Sequence, residues 1–243
     1  MKGDRDIDFV LIWVDGNDPA WQAEKRKYVE EARRRTNDPI FDKWIDHPMR
    51  YRDWDNLQYW FRGVEKFAPW VRKIYFVTWG HLPKWLNTEH PKLNIVNHRD
   101  FIPEEYLPTF SCNPIELNLH RIKGLAEQFV YFNDDMFLLR DVAPDVFFKN
   151  GLPCDSACLN ITCFNNVATG LSYDVLQATG IVNKYFNMRE VLWKNFSKWF
   201  NPLYGKYLLR TLYLLPCPRF PGIWHSHMPA SYLKLTFTKL WEL

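Results

Sequence analysis

The chain lacks an excess of charge of either sign. Its 31 basic and 28 acidic residues leave a net +3 over 243 residues. It therefore has no global polyanion-binding character, and no nucleic-acid recognition motif accompanies the basic residues, which argues against a nucleic-acid partner. It has no uninterrupted apolar run of about 18 residues, so no transmembrane segment is expected. Met1 to Asp8 is polar and charged, unlike a secretory signal. Cysteines are few and odd in number: Cys112, Cys154, Cys158, Cys163 and Cys217. The Cys154/Cys158/Cys163 cluster lacks the paired CxxC spacing of a zinc site, so the thiols read as reduced and structural, and the compartment as cytoplasmic. No internal repeat or low-complexity segment interrupts the chain. What is present is an ordinary globular composition, 47% hydrophobic and 24% charged, with 12 Trp, 12 Tyr and 18 Phe. The rings supply either a ring-packed core or sugar-stacking surfaces.

Phe129 to Phe132 is a short apolar run that reads as a buried strand, and it stops abruptly in Asn133-Asp134-Asp135. Adjacent carboxylates are out of place in a core unless paired or metal-bound. Mg²⁺ takes oxygen ligands, often one or two carboxylates plus substrate phosphates. Ile7 to Val14 reads as another buried strand, closed by Asp15-Gly16. Asp18-Pro19 then forms a helix cap with proline at the first helical position, the helix running to about Arg35 and stopping at Asn37-Asp38-Pro39. Helical spacing recurs from Asp55 to Phe67, Ile74 to Thr78 is the next strand, and Leu93 to Val96 a short third. Asn113-Pro114-Ile115-Glu116 reads as a capping box opening a helix to about Gln128, with Ile115, Leu119, Ile122 and Leu125 buried. Strands alternating with helices predict an α/β fold: a mostly parallel, Rossmann-like (GT-A-like) sheet flanked by helices. Ligands of such sheets bind outside the carboxyl ends of the strands, which draws Asp15, Thr78 and Asp135 toward one nucleotide-diphosphate site. The expected division is a catalytic core over 1–163 and a mostly helical lid or acceptor region over 164–243. Tyr185 to Leu215, aromatic and basic, reads as helical hairpins packed as a lid. Helices of that kind also lie on anionic membrane surfaces, which adds peripheral association with the inner face of the membrane to the expected partners.

Ile7 to Asp18 (IDFVLIWVDGND) resembles the opening block of the Stealth family of sugar-phosphate transferases. A longer similarity runs from Arg52 to Asp145, through FRGVEKFAPWVRKIYFVT, LPKWLN, LPTFSCNPIELNLHRIKGL and FVYFNDDMF in the family's order. His227-Met228-Pro229 looks like the His-x-Pro start of a third block. The resemblance implies transfer of a hexose 1-phosphate from a UDP-sugar to a hydroxyl of a polysaccharide or oligosaccharide acceptor. UMP would be released and a phosphodiester formed, in capsular or cell-surface polysaccharide synthesis. The alternatives are a conventional metal-dependent glycosyltransferase releasing UDP and an inactive carbohydrate-binding or scaffold module. Two departures stand out. Trp79-Gly80-His81 replaces an acidic or amide residue, Gly and Gln, and the chain ends at Leu243 where the family continues into a fourth block.

Under that resemblance Asp135 is the expected main ligand of Mg²⁺ (or Mn²⁺). If strand geometry persists past Phe132, Asn133 and Asp135 share a face, leaving Asp134 as second ligand or loop support. Both carboxylates could otherwise cap the turn before Leu138. Asp15 orients the acceptor hydroxyl, takes its proton or touches the nucleotide, or else satisfies its own turn. His227 is the general-base candidate, with His225 a substitute, because a near-neutral pKa suits deprotonation of a hydroxyl. Substrate contacts are expected from Gly16, Thr78 and Asn133, and from Arg52 and Arg62 against the diphosphate. Glu116, His120 and Arg121 either line the pocket or belong to capping and packing.

Overall fold

The computed structural model describes residues 6–36, 47–162 and 170–242. The expected helix stop at Asn37-Asp38-Pro39 and the thiol of Cys163 lie outside the described residues.

Strand β1 (Ile7–Ile12) is buried along all but its last residue, as a strand covered on both faces must be. Its one charge, Asp8, is fully buried and fully occupied. The carboxylate accepts from the Arg72 guanidinium (Nε at 2.9 Å), from the Lys73 N–H at 3.1 Å and from the Ala126 N–H at 2.7 Å. Three chain segments are tied together by one side chain. Helix α1 (Pro19–Thr36) begins as expected: Asp18 Oδ1 accepts the Trp21 N–H at 2.8 Å, and Pro19 needs no partner at the first position. Helix α2 (Leu57–Phe67) buries Leu57, Trp60 and Val64 and ends before Pro69. Strands β2 (Ile74–Thr78) and β3 (Leu93–Asn97) follow.

Helix α3 (Cys112–Asn118) departs from expectation. Ser111, not Asn113, is the cap and makes no side-chain bond, Pro114 sits third in the helix, and no capping box involves Glu116. The helix ends at Asn118, whose Nδ2 donates to the Pro114 carbonyl at 2.9 Å, a local bond that competes with helix continuation. A 3₁₀ turn over Leu119–Arg121 and Gly124 at φ +81° carry the chain onward. Ile115, Leu119, Ile122 and Leu125 are nonetheless all buried. The spacing marked the buried face correctly while three different conformations supplied it.

Strand β4 (Gln128–Phe132) is buried throughout. Two two-residue strands, β5 (Phe148–Lys149) and β6 (Leu152–Pro153), pair as a small antiparallel ribbon. Helices α4 (Gly170–Tyr185), α5 (Met188–Lys194), α6 (Phe196–Trp199) and α7 (Lys206–Tyr213) lead to β7 (Ala230–Leu233) and α8 (Lys234–Trp241). The main sheet has the order β3-β2-β1-β4-β7, with the first four strands parallel and β7 antiparallel to β4. It is a Rossmann-like α/β sheet with one layer on each face. Phe9, Leu11, Trp60, Phe76 and Phe132 pack on the α2 side, and Val10, Val77, Leu119, Phe129 and Phe237 on the side of α3 and α8.

The chain forms two compact units. One runs to Asp155 and resumes at Met228; it contains the sheet. The other, Ser156–His227, is helical and has its own core of Leu159, Met188, Leu192, Trp199, Leu214 and Phe220.

Candidate functional site

The connection from β3 to β4 passes over β2 and β1, so the strand order reverses between β1 and β4. A crevice opens at the carboxyl ends of strands flanking such a reversal. A cleft of about 410 Å³ lies there, lined among others by Trp13, Arg50, Arg52, Asp53, Asp134 and Asp135.

Beyond β4 the strand geometry does not persist. The Met136 N–H closes a turn onto the Asn133 carbonyl at 3.2 Å, so the alternation that paired Asn133 with Asp135 is broken. Both aspartates reach the cleft, Asp134 half-buried and Asp135 exposed, while Asn133 Oδ1 accepts the Tyr131 hydroxyl at 2.6 Å. Burial, then the neighbouring charges of Asp135 and Asp53, push the Asp134 carboxyl up to about 6. Asp53 is held in place from two directions: its Oδ2 accepts the Trp13 indole N–H at 3.3 Å and its Oδ1 the Asp55 N–H at 2.8 Å. Arg52 stacks its guanidinium 3.8 Å above the Trp54 ring. It also lines an adjoining cleft of about 610 Å³ with Gly16, Trp21 and Lys25.

The donor set fits a hard divalent cation: carboxylate oxygens, mutually repelling, beside guanidinium groups. Among the described residues no group of three or more His, Cys, Asp or Glu side chains forms an all-protein cage. Mg²⁺ needs none, since it keeps waters and takes remaining ligands from substrate phosphates.

The Asp15 loop is fixed by a residue that sequence reasoning noted only as a departure. His81 Nε2 accepts the Asp15 N–H at 2.8 Å, which puts the ring proton on Nδ1, 3.7 Å from Asp18 Oδ2. Burial lowers the His81 pKa, against the opposing pull of Asp18 and Asp15. Its ring stands edge-on to Trp13 at 5.2 Å. Asp15 Oδ1 accepts the Asn17 N–H at 2.8 Å, so one carboxylate oxygen serves its own turn. At Gly16 the backbone of Tyr51 passes so close that an added Cβ would lie 1.9 Å from the Tyr51 carbonyl oxygen.

Other expected contacts fall elsewhere. Thr78 ends β2 fully buried, its hydroxyl accepting the Gly80 N–H at 3.0 Å, and it shapes the turn. Arg62 lies on the exposed side of α2, 5.6 Å from the Tyr59 ring, and lines a separate cleft with Trp85 and Leu93. Glu116 acts on Tyr131, whose phenol burial and the Glu116 charge together keep protonated. His120 stacks parallel to Phe237 at 6.1 Å and Arg121 lies 4.9 Å from the Trp241 ring, so both hold α8 against the sheet. His227 is exposed and is the last residue of the helical unit. Asp53, Arg50, Trp13 and His81 complete the cleft and its rim. Asp53 carried a signal, a carboxylate directly after Arg52, but in sequence it reads as the polar lead into α2.

Comparison with known proteins bears on this arrangement. Stealth protein conserved region 1 matches residues 5–32, and conserved region 2 matches residues 50–154. A capsular polysaccharide phosphotransferase WcwK of Streptococcus pneumoniae is 44% identical over 243 residues, all of this chain and 70% of the relative. The chain belongs to the Stealth family. Its other relatives include receptor polysaccharide phosphotransferase WefC of Streptococcus oralis, 43% identical over 97% of this chain and 69% of the relative. Exopolysaccharide phosphotransferase cps2G of Lactiplantibacillus plantarum is 39% identical over 100% and 68%. The cleft of this Stealth protein draws on both matched regions, Trp13 from the first and Arg50, Arg52, Asp53, Asp134 and Asp135 from the second. His227 lies outside both.

Proposed function

We propose that this Stealth protein transfers a hexose 1-phosphate from a UDP-sugar to a sugar hydroxyl during synthesis of a capsular or other cell-surface polysaccharide. The observation that carries the reading is the pair Asp134-Asp135, facing Asp53 and two arginines at the strand-order reversal. The names of the relatives, all polysaccharide phosphotransferases, supply the reaction class. A bound Mg²⁺ (or Mn²⁺) would be held by Asp134 and Asp135 and would supply Lewis-acid neutralisation of the donor diphosphate.

The remaining chemistry belongs to the chain. Arg52, pre-oriented by Trp54, and Arg50 donate to phosphoryl oxygens as charge builds on the leaving group. The nucleoside extends over the ends of β2 and β3, into a cleft of about 460 Å³ lined by Trp79, Asn97 and His98. Parallel strands lie about 4.8 Å apart, so β3 is roughly 10 Å from β1, the scale of a nucleoside. The acceptor oxygen forms a bond to the phosphorus nearest the sugar, and the bond from that phosphorus to the bridging oxygen breaks, releasing UMP. The anomeric bond stays intact. The acceptor's proton passes to Asp15, fixed by His81; His227 is the competing candidate. The reaction is placed at the inner face of the membrane, with the protein associated peripherally. No helix among the described residues is long and apolar enough to cross a membrane.

The test is incubation with a panel of UDP-sugars, polysaccharide fragments and Mg²⁺. UMP and a phosphodiester ³¹P signal are expected, and both are lost in folded Asp134→Ala and Asp135→Ala variants. Release of UDP would identify a conventional glycosyltransferase instead. Sugar binding with no nucleotide released at high enzyme concentration would identify a non-catalytic module. Asp15→Asn and His227→Ala separate the two candidates for the proton acceptor.

A further inference from the structure

The helical unit Ser156–His227 differs in charge from the rest of the chain. It carries seven lysines and arginines against Asp174 and Glu190 alone, a formal +5, whereas the whole chain is +3. Helix α7 is anchored on one side. The Thr211 hydroxyl accepts the Leu159 N–H at 3.1 Å, and Leu214 enters the unit's core. Immediately before the helix, the Tyr204 hydroxyl accepts the Ala157 N–H at 3.1 Å. On the opposite side of α7 Leu209 is 69% and Tyr213 80% exposed, and in the turn before the helix Leu203 is 92% exposed. Leu209 and Tyr213 are one turn apart, with Lys206 and Arg210 beside them at helical spacing; Arg210 gives one guanidinium N–H to Asn160 Oδ1 at 2.8 Å.

Large side chains at such exposure contribute nothing to the unit's own core, and an apolar stripe beside cations marks a contact surface. A purely apolar partner face would explain the leucine and tyrosine but not the cations Lys206 and Arg210 beside them. An anionic lipid surface explains both. Leucine and tyrosine enter the headgroup–acyl boundary while lysine and arginine reach the lipid phosphates, and electrostatic attraction adds to apolar burial. We infer that the Leu203–Tyr213 face of the helical unit is a docking surface for an anionic bilayer, with α7 lying in the plane of the interface. This specifies the element behind the peripheral association proposed above and rests on no part of the transfer reaction.

The experiment is co-sedimentation of the full chain with vesicles in which about one third of the lipid is phosphatidylglycerol, the rest phosphatidylcholine. Binding is expected to be at least about tenfold stronger than to pure phosphatidylcholine and to weaken as salt is raised. The double variant Leu209→Glu/Tyr213→Glu, changed only at exposed positions, is expected to lose binding at least about tenfold while keeping its circular dichroism and melting temperature. A second variant, Lys206→Gln, should weaken binding more at low salt than at high salt. Absence of binding to anionic vesicles overturns the inference, as does binding undiminished by the double variant. Self-association abolished by the double variant, without vesicle binding, also overturns it and identifies a protein partner face.

Discussion

Replacing Gly16 with alanine tests how the cleft is held open. An added Cβ would meet three atoms of Tyr51: the carbonyl oxygen at 1.9 Å, the carbonyl carbon at 2.8 Å and Cβ at 2.9 Å. Gly16 has no left-handed φ, so the penalty is contact alone and not backbone strain. Real Cβ atoms stay beyond 3.0 Å of such neighbours. The Tyr51 backbone must therefore retreat by about 1 Å, and it carries the adjoining Arg52 and Asp53 with it. Overpacking of this kind costs about 1–3 kcal/mol. At roughly 2–4 °C per kcal/mol for a chain of this size, the melting temperature falls by about 2–12 °C. A 1 Å displacement of positioning groups costs turnover about a hundredfold. Scanning calorimetry and the rate of nucleotide release read the two effects separately. Gly180→Ala, in α4 with nothing within 4 Å of the added Cβ, is the control and is expected to be neutral or slightly stabilising. If Gly16→Ala melts and turns over like the wild type, the close approach does not position Arg52, and the account of the cleft is wrong.

Arg72→Met strands the buried Asp8 carboxylate without its cation and is expected to cost about 3–5 kcal/mol in urea unfolding, with little change for Arg62→Met on the exposed face of α2. A loss below 1 kcal/mol in the Arg72 variant would mean that the backbone N–H groups suffice. Burial, reinforced by His81 nearby, pushes the His98 imidazole down to about 4. A depressed histidine pKa means that protons prefer the unfolded chain. The stability tied to neutral His98 is thus complete above about pH 6.5 and is lost as pH falls toward 4, by up to about 3 kcal/mol. His98→Leu should flatten that part of the pH dependence between pH 6.5 and 4.5, and parallel curves for variant and wild type would count against it.

Legibility in the sequence followed the range of the interactions. The cores of β1, β2 and β4 are continuous apolar runs because both faces of a parallel sheet are covered, and a run of that kind is visible locally. The Asp18-Pro19 cap is a contact across three residues and was equally visible. The carboxylates of Asp134 and Asp135 stood out for the same reason. What escaped depends on distant partners. Asp53 joins the cleft through Trp13, forty residues away, and His81 holds Asp15 from sixty-six residues away. His120 and Arg121 resemble site residues in sequence, yet aromatic rings of α8, more than a hundred residues later, absorb them. Thr78 stood at the right strand end, and its hydroxyl turned inward to the Gly80 N–H, a choice that alternation along a strand does not specify. The short α3 shows the converse: periodicity located its buried face through a helix, a 3₁₀ turn and a loop alike.

The antiparallel pairing of β7 with β4 bears on the order of synthesis. Tyr131 lies opposite Ala230, and the whole helical unit is encoded between them. On the ribosome β4 can pair with β1 as soon as it emerges, because β1 is already made. Its other edge stays open while the helical unit is translated, for several seconds at about 5–20 residues per second. An open edge in a strand as apolar as Phe129–Phe132 is a template for pairing with other chains. The helical unit, with a core of its own, can fold during that interval and bring its two ends together, which shortens the loop that β7 must close. The insertion thereby sets the schedule on which the sheet beside the carboxylates is sealed.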